Sequence, residues 1–119
     1  MRDAAAAHKL PSGLGAADVV ETLAGEFDVI IDGVGGATFG LAIEHVAAHG
    51  IVVNIATQSD DETVTFQAAR FDRAKGARIY TLNLFDELAC HASGAGDLAR
   101  LCTLMANGRL DGQIELEAS

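Results

Sequence analysis

Two β-branched runs, 27–32 and 51–56, are separated by a glycine-rich turn and an amphipathic stretch, and this order constrains the fold more than any other feature. The first run, Phe27-Asp28-Val29-Ile30-Ile31-Asp32, is bounded by Gly25 and Gly33 and barely alternates. That pattern predicts a strand buried on both faces, as in a parallel sheet covered by helices. From Ala37 to Ala48, residues Phe39, Ala42, Ile43, Val46 and Ala47 recur at helical spacing, with Gly50 where a C-cap is expected. Ile51-Val52-Val53-Asn54-Ile55-Ala56 then reads as a second strand. Strand, turn, helix and strand make a βαβ unit of near-minimal length, with a right-handed crossover expected.

The remaining segments extend this α/β reading. Asp3–Lys9 is Ala-rich and predicts a helix remnant stopped by Pro11 and Gly13, and Asp18–Glu21 is a short strand candidate. Thr57–Glu62 is polar and reads as a loop, while Val64–Lys75 has no clean period. Arg78–Leu82 reads as a third strand. Asp97–Ala106 carries Leu98, Leu101, Cys102 and Met105 on one face, with Gly108 after it, and reads as a helix. Gln113–Glu117 alternates as a half-exposed edge strand would. With 119 residues, 50% apolar but only 5% aromatic, the chain has room for one core built from Ala, Val, Ile and Leu. The expected fold is a three-layer α/β arrangement of parallel sheet and flanking helices.

Composition narrows the partners. The net charge of −9 repels a phosphate backbone, so no nucleic-acid partner is expected. No apolar run approaches the ~20 residues of a membrane span, and Met1-Arg2-Asp3-Ala4 does not begin a secretory signal. Two cysteines, Cys90 and Cys102, then read as free thiols in a reducing cytoplasm.

The most informative local feature is Asp32-Gly33-Val34-Gly35-Gly36, at the carboxyl end of a strand and the start of a helix. Ligands collect at that edge of open α/β sheets, where glycines admit close approach and helix N–H groups favour anions. The dinucleotide fingerprint G-x-G-x-x-G is incomplete, because Thr38 stands at its third glycine, and a tight turn without ligand is the competing reading. His45 and His49 are spaced i, i+4 on the expected helix, but no third ligand shares their face, so no metal site is expected. Cys90-His91 is a neighbouring pair in an expected loop, not a catalytic constellation, and no G-x-S-x-G elbow occurs. Asp60-Asp61-Glu62 reads as a solvated acidic turn. No catalytic residue is assigned.

Gly25–Ala56, "GEFDVIIDGVGGATFGLAIEHVAAHGIVVNIA", resembles the second half of the nucleotide-binding domain of medium-chain dehydrogenases/reductases, especially the zinc-independent quinone oxidoreductase-like members. That family shows "fDvviDsvGG", a helix, and then "gGrvv" leading a strand. Leu14–Val20 is similar to its "lGAdxVi" segment, and "LMANGRLDGQIE" to its closing helix, so the likeness spans residues 14–117. The resemblance implies a partial Rossmann-type domain and a parent oxidoreductase that transfers hydride with NAD or NADP. Carried over by position, it implies Gly33, Val34 and Gly35 against the ribose and nicotinamide. Ile55, Ala56 and Thr57 would border the ring, with Leu82 and Asn83 on the same edge. The family usually has Gly where Ala56 stands, and often near Thr81, which narrows backbone approach here.

By the same resemblance, the pyrophosphate loop, the first βαβ unit and the substrate-binding domain are expected outside these residues. This chain alone is then expected to be inactive, contributing the nicotinamide-side half of a site. Two alternatives remain: a non-catalytic module that self-associates through an exposed sheet edge as a homodimer or binds another partner, and an unrelated flavodoxin-like or Rossmann-like module.

Overall fold

The computed structural model of the chain describes residues 15–112. They fall into two compact units, 22–87 and a second made of 15–21 with 88–112. The expected helix at Asp3–Lys9 and the expected edge strand at Gln113–Glu117 lie outside the described residues.

The Thr22–Glu87 unit is a parallel sheet with helices against it. Strand β1 (Phe27–Asp32) leads through the glycine turn into helix α1 (Gly36–Glu44), which returns to β2 (Val46–Asn54). Helix α2 (Ala68–Arg73) then leads to β3 (Arg78–Thr81). Strand order is β1-β2-β3, all parallel, as the βαβ reading requires. Asp32, Asn54 and Thr81 stand in register, so the three strands end level with one another. The partial Rossmann-type parallel sheet with flanking helices is the observed fold.

One face of this sheet carries the core. Ile30 pairs with Val52, and both alternate onto the face that meets Ala42 and Phe39 of α1 and Phe71 of α2. Val52 is fully buried, and Val46 closes the cluster with Ala74 and Ala77. Phe66 meets Phe71 edge to face, with ring centroids 5.9 Å apart.

The opposite face differs from the expectation of a strand buried on both sides. Val29 and Ile31 remain 63% and 67% exposed, and Phe27 and Tyr80 are also exposed. A β-branched run records that a strand suits a sheet, but it does not say which layers cover it.

Helix α1 is also shorter than its apolar spacing predicts. It stops at Glu44, and His45 caps it, its amide donating to the Ala42 carbonyl. Val46, assigned by periodicity to the helix, instead opens β2, where it is buried and pairs with Phe27. The Phe27 amide donates to the His45 carbonyl, so pairing with β1 outcompetes another helical turn. Gly50 is no helix cap. From Phe27 to Val29 the chain advances two residues on β1, while β2 runs from Val46 to Ile51, so β2 bulges. Within that bulge His49 adopts φ +62°, and a Cβ on Gly50 would stand 2.8 Å from the Asp28 carbonyl oxygen. Only glycine lets the strand pass β1 so closely there.

Asp18–Glu21 forms no strand; the Val19 amide donates instead to the Asp18 carboxylate. The unassigned 64–75 stretch contains α2, and β3 falls where it was expected. Helix α3 (Leu84–His91) holds Cys90 and His91 on a helix, not in a loop. Leu88, Leu98, Leu101 and Met105 are exposed apolar residues of the second unit. In that unit, helix α4 (Gly94–Ala106) begins three residues ahead of the expected Asp97, with Ser93 Oγ donating to the Asp97 carboxylate. At its far end the Gly108 and Arg109 amides donate to the Met105 and Leu104 carbonyls, closing the helix as the trailing glycine suggests.

Two substitutions separate the covered face from the open one. Val52→Ala is expected to cost about 2 kcal/mol through lost burial and a cavity. Val29→Ala should change stability by less than about 0.5 kcal/mol. Urea unfolding with an unchanged slope distinguishes them by midpoint.

Candidate functional site

The site is built at the carboxyl ends of the three strands. The ladder continues one residue past them: the Ile55 amide donates to the Asp32 carbonyl and the Leu82 amide to the Asn54 carbonyl, each at 2.9 Å. Alternation then turns Ile55 and Leu82 to the open face of the sheet. Val34 follows Gly33 in the glycine turn after β1. Val34, Ile55 and Leu82 are 53%, 50% and 36% exposed. Gly33 lies next to Ile55, whose Cδ1 would be 3.7 Å from any Cβ placed there.

Beneath this apolar rim runs a buried polar network. Asp32 is buried, and its Oδ2 accepts from the Gly35 amide and from Asn54 Nδ2, both at 2.9 Å. Its Oδ1 accepts a longer bond from the Val34 amide, at 3.4 Å. Asn54, also buried, uses the same amide nitrogen to donate to the Ala56 carbonyl at 2.8 Å. One carboxylate therefore fixes the glycine turn after β1 and, through Asn54, the exit from β2. An isolated charge buried this deeply would be costly, and these donors offset that cost.

The turn itself demands glycine. Gly35 precedes α1 at φ +82°, and a Cβ there would meet the Glu62 carboxylate at 2.8 Å and the Ala56 carbonyl at 3.1 Å. Helix α1 has no side-chain N-cap of its own. Its first amide, Gly36, donates instead to Glu62 Oε1 at 2.8 Å, across 26 residues of sequence. The other oxygen, Oε2, accepts from the Gln58 amide at 2.7 Å.

The residues expected along this edge are thus brought together, in different roles. Gly33, Val34, Ile55 and Leu82 form its accessible surface. Gly35 is buried in the turn. Ala56 faces it through its carbonyl, and Thr57 is exposed at the start of the loop. Asn83 is exposed but turned to local use: its Oδ1 accepts from the Asp86 amide, and its backbone carbonyl from Glu87, at the start of α3.

Sequence reasoning gave no role to Asp32, named only as the first residue of the glycine motif, to Asn54, or to Glu62, named only in an acidic turn. The first two carried a signal, since each is a polar residue closing an apolar run that heads for a buried face. Glu62 carried none, because a bond between a loop carboxylate and a helix amide so far away leaves no periodic trace.

The histidine pair separates. His45 caps α1, with its ring Nδ1 2.7 Å from the Gly25 carbonyl. His49 sits in the β2 bulge against Gly76, its amide donating to the Lys75 carbonyl. Among the described residues no group of three or more His, Cys, Asp or Glu side chains is arranged to hold a metal ion, and Cys90 and Cys102 are both exposed. No helix among these residues is long and apolar enough to cross a membrane.

A parallel sheet flanked by helices, with a glycine turn at its carboxyl edge, defines a partial Rossmann-type α/β module. The family model described as zinc-binding dehydrogenase matches residues 7–117, and the chain belongs to that medium-chain dehydrogenase/reductase-like family. No curated protein and no solved structure matches the chain. The donor set of the described residues does not fit the zinc ion of the family's description.

Asp32 and Asn54 are expected to behave as one unit. Asp32→Ala removes the acceptor of the Gly35 amide and one of the two acceptors of Asn54 Nδ2, and should cost about 2–4 kcal/mol. Asn54→Ala should cost about 1–3 kcal/mol. Because the two share a bond, the double variant should cost less than their sum by about 0.5 kcal/mol or more, measured by chemical denaturation.

Proposed function

We propose that this chain supplies the nicotinamide-side half of an NAD(P) site in an oxidoreductase of the quinone reductase/alcohol dehydrogenase type, and is inactive alone. The observation that carries the reading is the accessible apolar rim of Val34, Ile55 and Leu82 beside Gly33, level with the ends of three registered parallel strands. A flat, weakly polar ring lies well against such side chains, whereas a pyrophosphate does not. The turn's inner amides give the same support, since Val34 and Gly35 are committed to Asp32. Membership in a dehydrogenase family supports hydride chemistry. When bound, the nicotinamide would carry that hydride, and this chain's residues would flank and orient the ring. The remaining cofactor contacts and the catalytic groups would come from residues beyond this module. Two exposed cysteine thiols agree with a reducing, cytoplasmic setting.

A second reading is favoured by one observation. Strand β1 is an edge of the sheet, and among the described residues no strand pairs along its outer side, while Val29 and Ile31 are exposed on it. A second copy of the chain could pair there as a homodimer. Light scattering at several concentrations tests this, and a strictly monomeric chain would count against it.

The primary reading is tested by titrating the labelled chain with NADPH and following amide resonances. Shifts should concentrate at Gly33, Val34, Ile55 and Leu82, with affinity no tighter than micromolar. Ile55→Glu, which puts a carboxylate into the rim, should weaken binding by about tenfold or more. Shifts confined to other segments, or submicromolar affinity in the chain by itself, would contradict the half-site assignment.

A further inference from the structure

The far part of the glycine turn, Gly35 and Gly36, is covered by the chain's own loop. The segment after β2 folds back so that Glu62 bridges two backbone donors from separate places, the Gly36 amide at the start of α1 and the Gln58 amide in the loop, at 2.8 and 2.7 Å. The Gln58 side chain lies over Gly36, with Nε2 3.2 Å from where a Cβ would stand. The Glu62 amide donates to the Ser59 carbonyl at 3.2 Å and Ser59 Oγ to the Asp61 carboxylate at 2.7 Å, which curls the loop inward. Glu62 is half-buried, and its carboxylate also lies against the bare face of Gly35.

We propose that Glu62 is a latch. Its carboxylate holds the 57–62 loop shut over the glycine turn, and any group that would contact the Gly36 amide must first displace it. The physical case is the asymmetry of the bonds involved. The Asp32 contacts are buried and bind the turn to the sheet, so they belong to the fold. The Glu62 contacts join a surface loop to a helix start, in a half-exposed position where water can replace them at modest cost. The loop can therefore open while the turn keeps its shape. Insofar as the displacing group belongs to a dinucleotide, the latch rests on the cofactor reading above. The ligand-free chain would then bind with an affinity reduced by the fraction of time the loop is open.

Amide hydrogen exchange on the full chain tests the latch without any ligand. In Glu62→Ala, exchange at Gly36 and Gln58 should rise on the order of tenfold to a hundredfold, as expected for loss of charge-assisted bonds. Glu62→Gln, which keeps one acceptor oxygen, should fall between it and the wild type. Ile55 and Leu82, whose amides bond to the Asp32 and Asn54 carbonyls, serve as internal controls and should keep their protection. Unchanged exchange at Gly36 and Gln58 overturns the proposal. So does an equal rise at Ile55 and Leu82 in both variants, which would make Glu62 a support of the whole fold.

Titration with NADPH separates the two readings. Tighter binding in Glu62→Ala, by about tenfold, supports a latch over the cofactor edge. Equal affinity in both proteins overturns it. Binding in neither overturns the cofactor reading, and the exchange pattern alone then decides the latch.

Discussion

The buried carboxylate of Asp32 organises the carboxyl end of the sheet. A carboxylate at that depth needs donors, and the donors within reach are the amides of the next turn and the Asn54 side chain. Meeting that need bends the chain sharply after β1 and aims α1 back across the sheet. It also ties β2 to β1 at their ends, where Asn54 hands a further bond to the Ala56 carbonyl. The turn and the exit from β2 are therefore held together by one buried network. With the strand ends held level, alternation leaves Ile55 and Leu82 on the open face.

This division explains how a sheet with a modest core can still carry a defined edge. The covered face is built from small aliphatic residues around Val52, with Phe39 and Phe71 adding bulk. The open face leaves Val29, Ile31 and Tyr80 exposed, a surface that resembles a layer boundary more than a finished exterior. Hydrogen bonds at the strand ends, in contrast, do not depend on which layer lies over that face. The edge geometry is thus set locally, by residues 32–36 and 54–62.

The strands were legible because a β-branched run closed by glycine admits few alternatives, and β1 and β3 fall within a residue of their expected bounds. The helix between them was legible in kind but not in length. Val46 and Ala47 keep the apolar period, yet the pairing of Phe27 with Val46 draws the chain into β2 early. Gly50 illustrates the same limit, for a glycine after an apolar helix reads as a cap whether it ends the helix or lets two strands pass. At the site, the glycines and the strand-end aliphatics were visible as a motif. Asp32 and Asn54 were visible only as polar interruptions, whose meaning depends on register. Glu62 was legible only as one of three acidic residues in a turn, since its partner lies 26 residues upstream.

A nucleotide site can recognise its ligand by charge, by directed hydrogen bonds or by shape. The net charge of −9 argues against attraction of phosphates by this module's overall field. The Val34 and Gly35 amides already serve Asp32, so few directed donors remain at the turn. Shape and apolar contact are what Gly33, Val34, Ile55 and Leu82 have left to offer. A surface of that kind discriminates poorly between related rings but holds a ring in one plane, which is the requirement for delivering a hydride from one face. The cost is affinity, because apolar contact over three aliphatic side chains is worth only a few kcal/mol. In the proposed enzyme, binding strength would therefore come from elsewhere in the protein, while this edge governs how the ring is oriented.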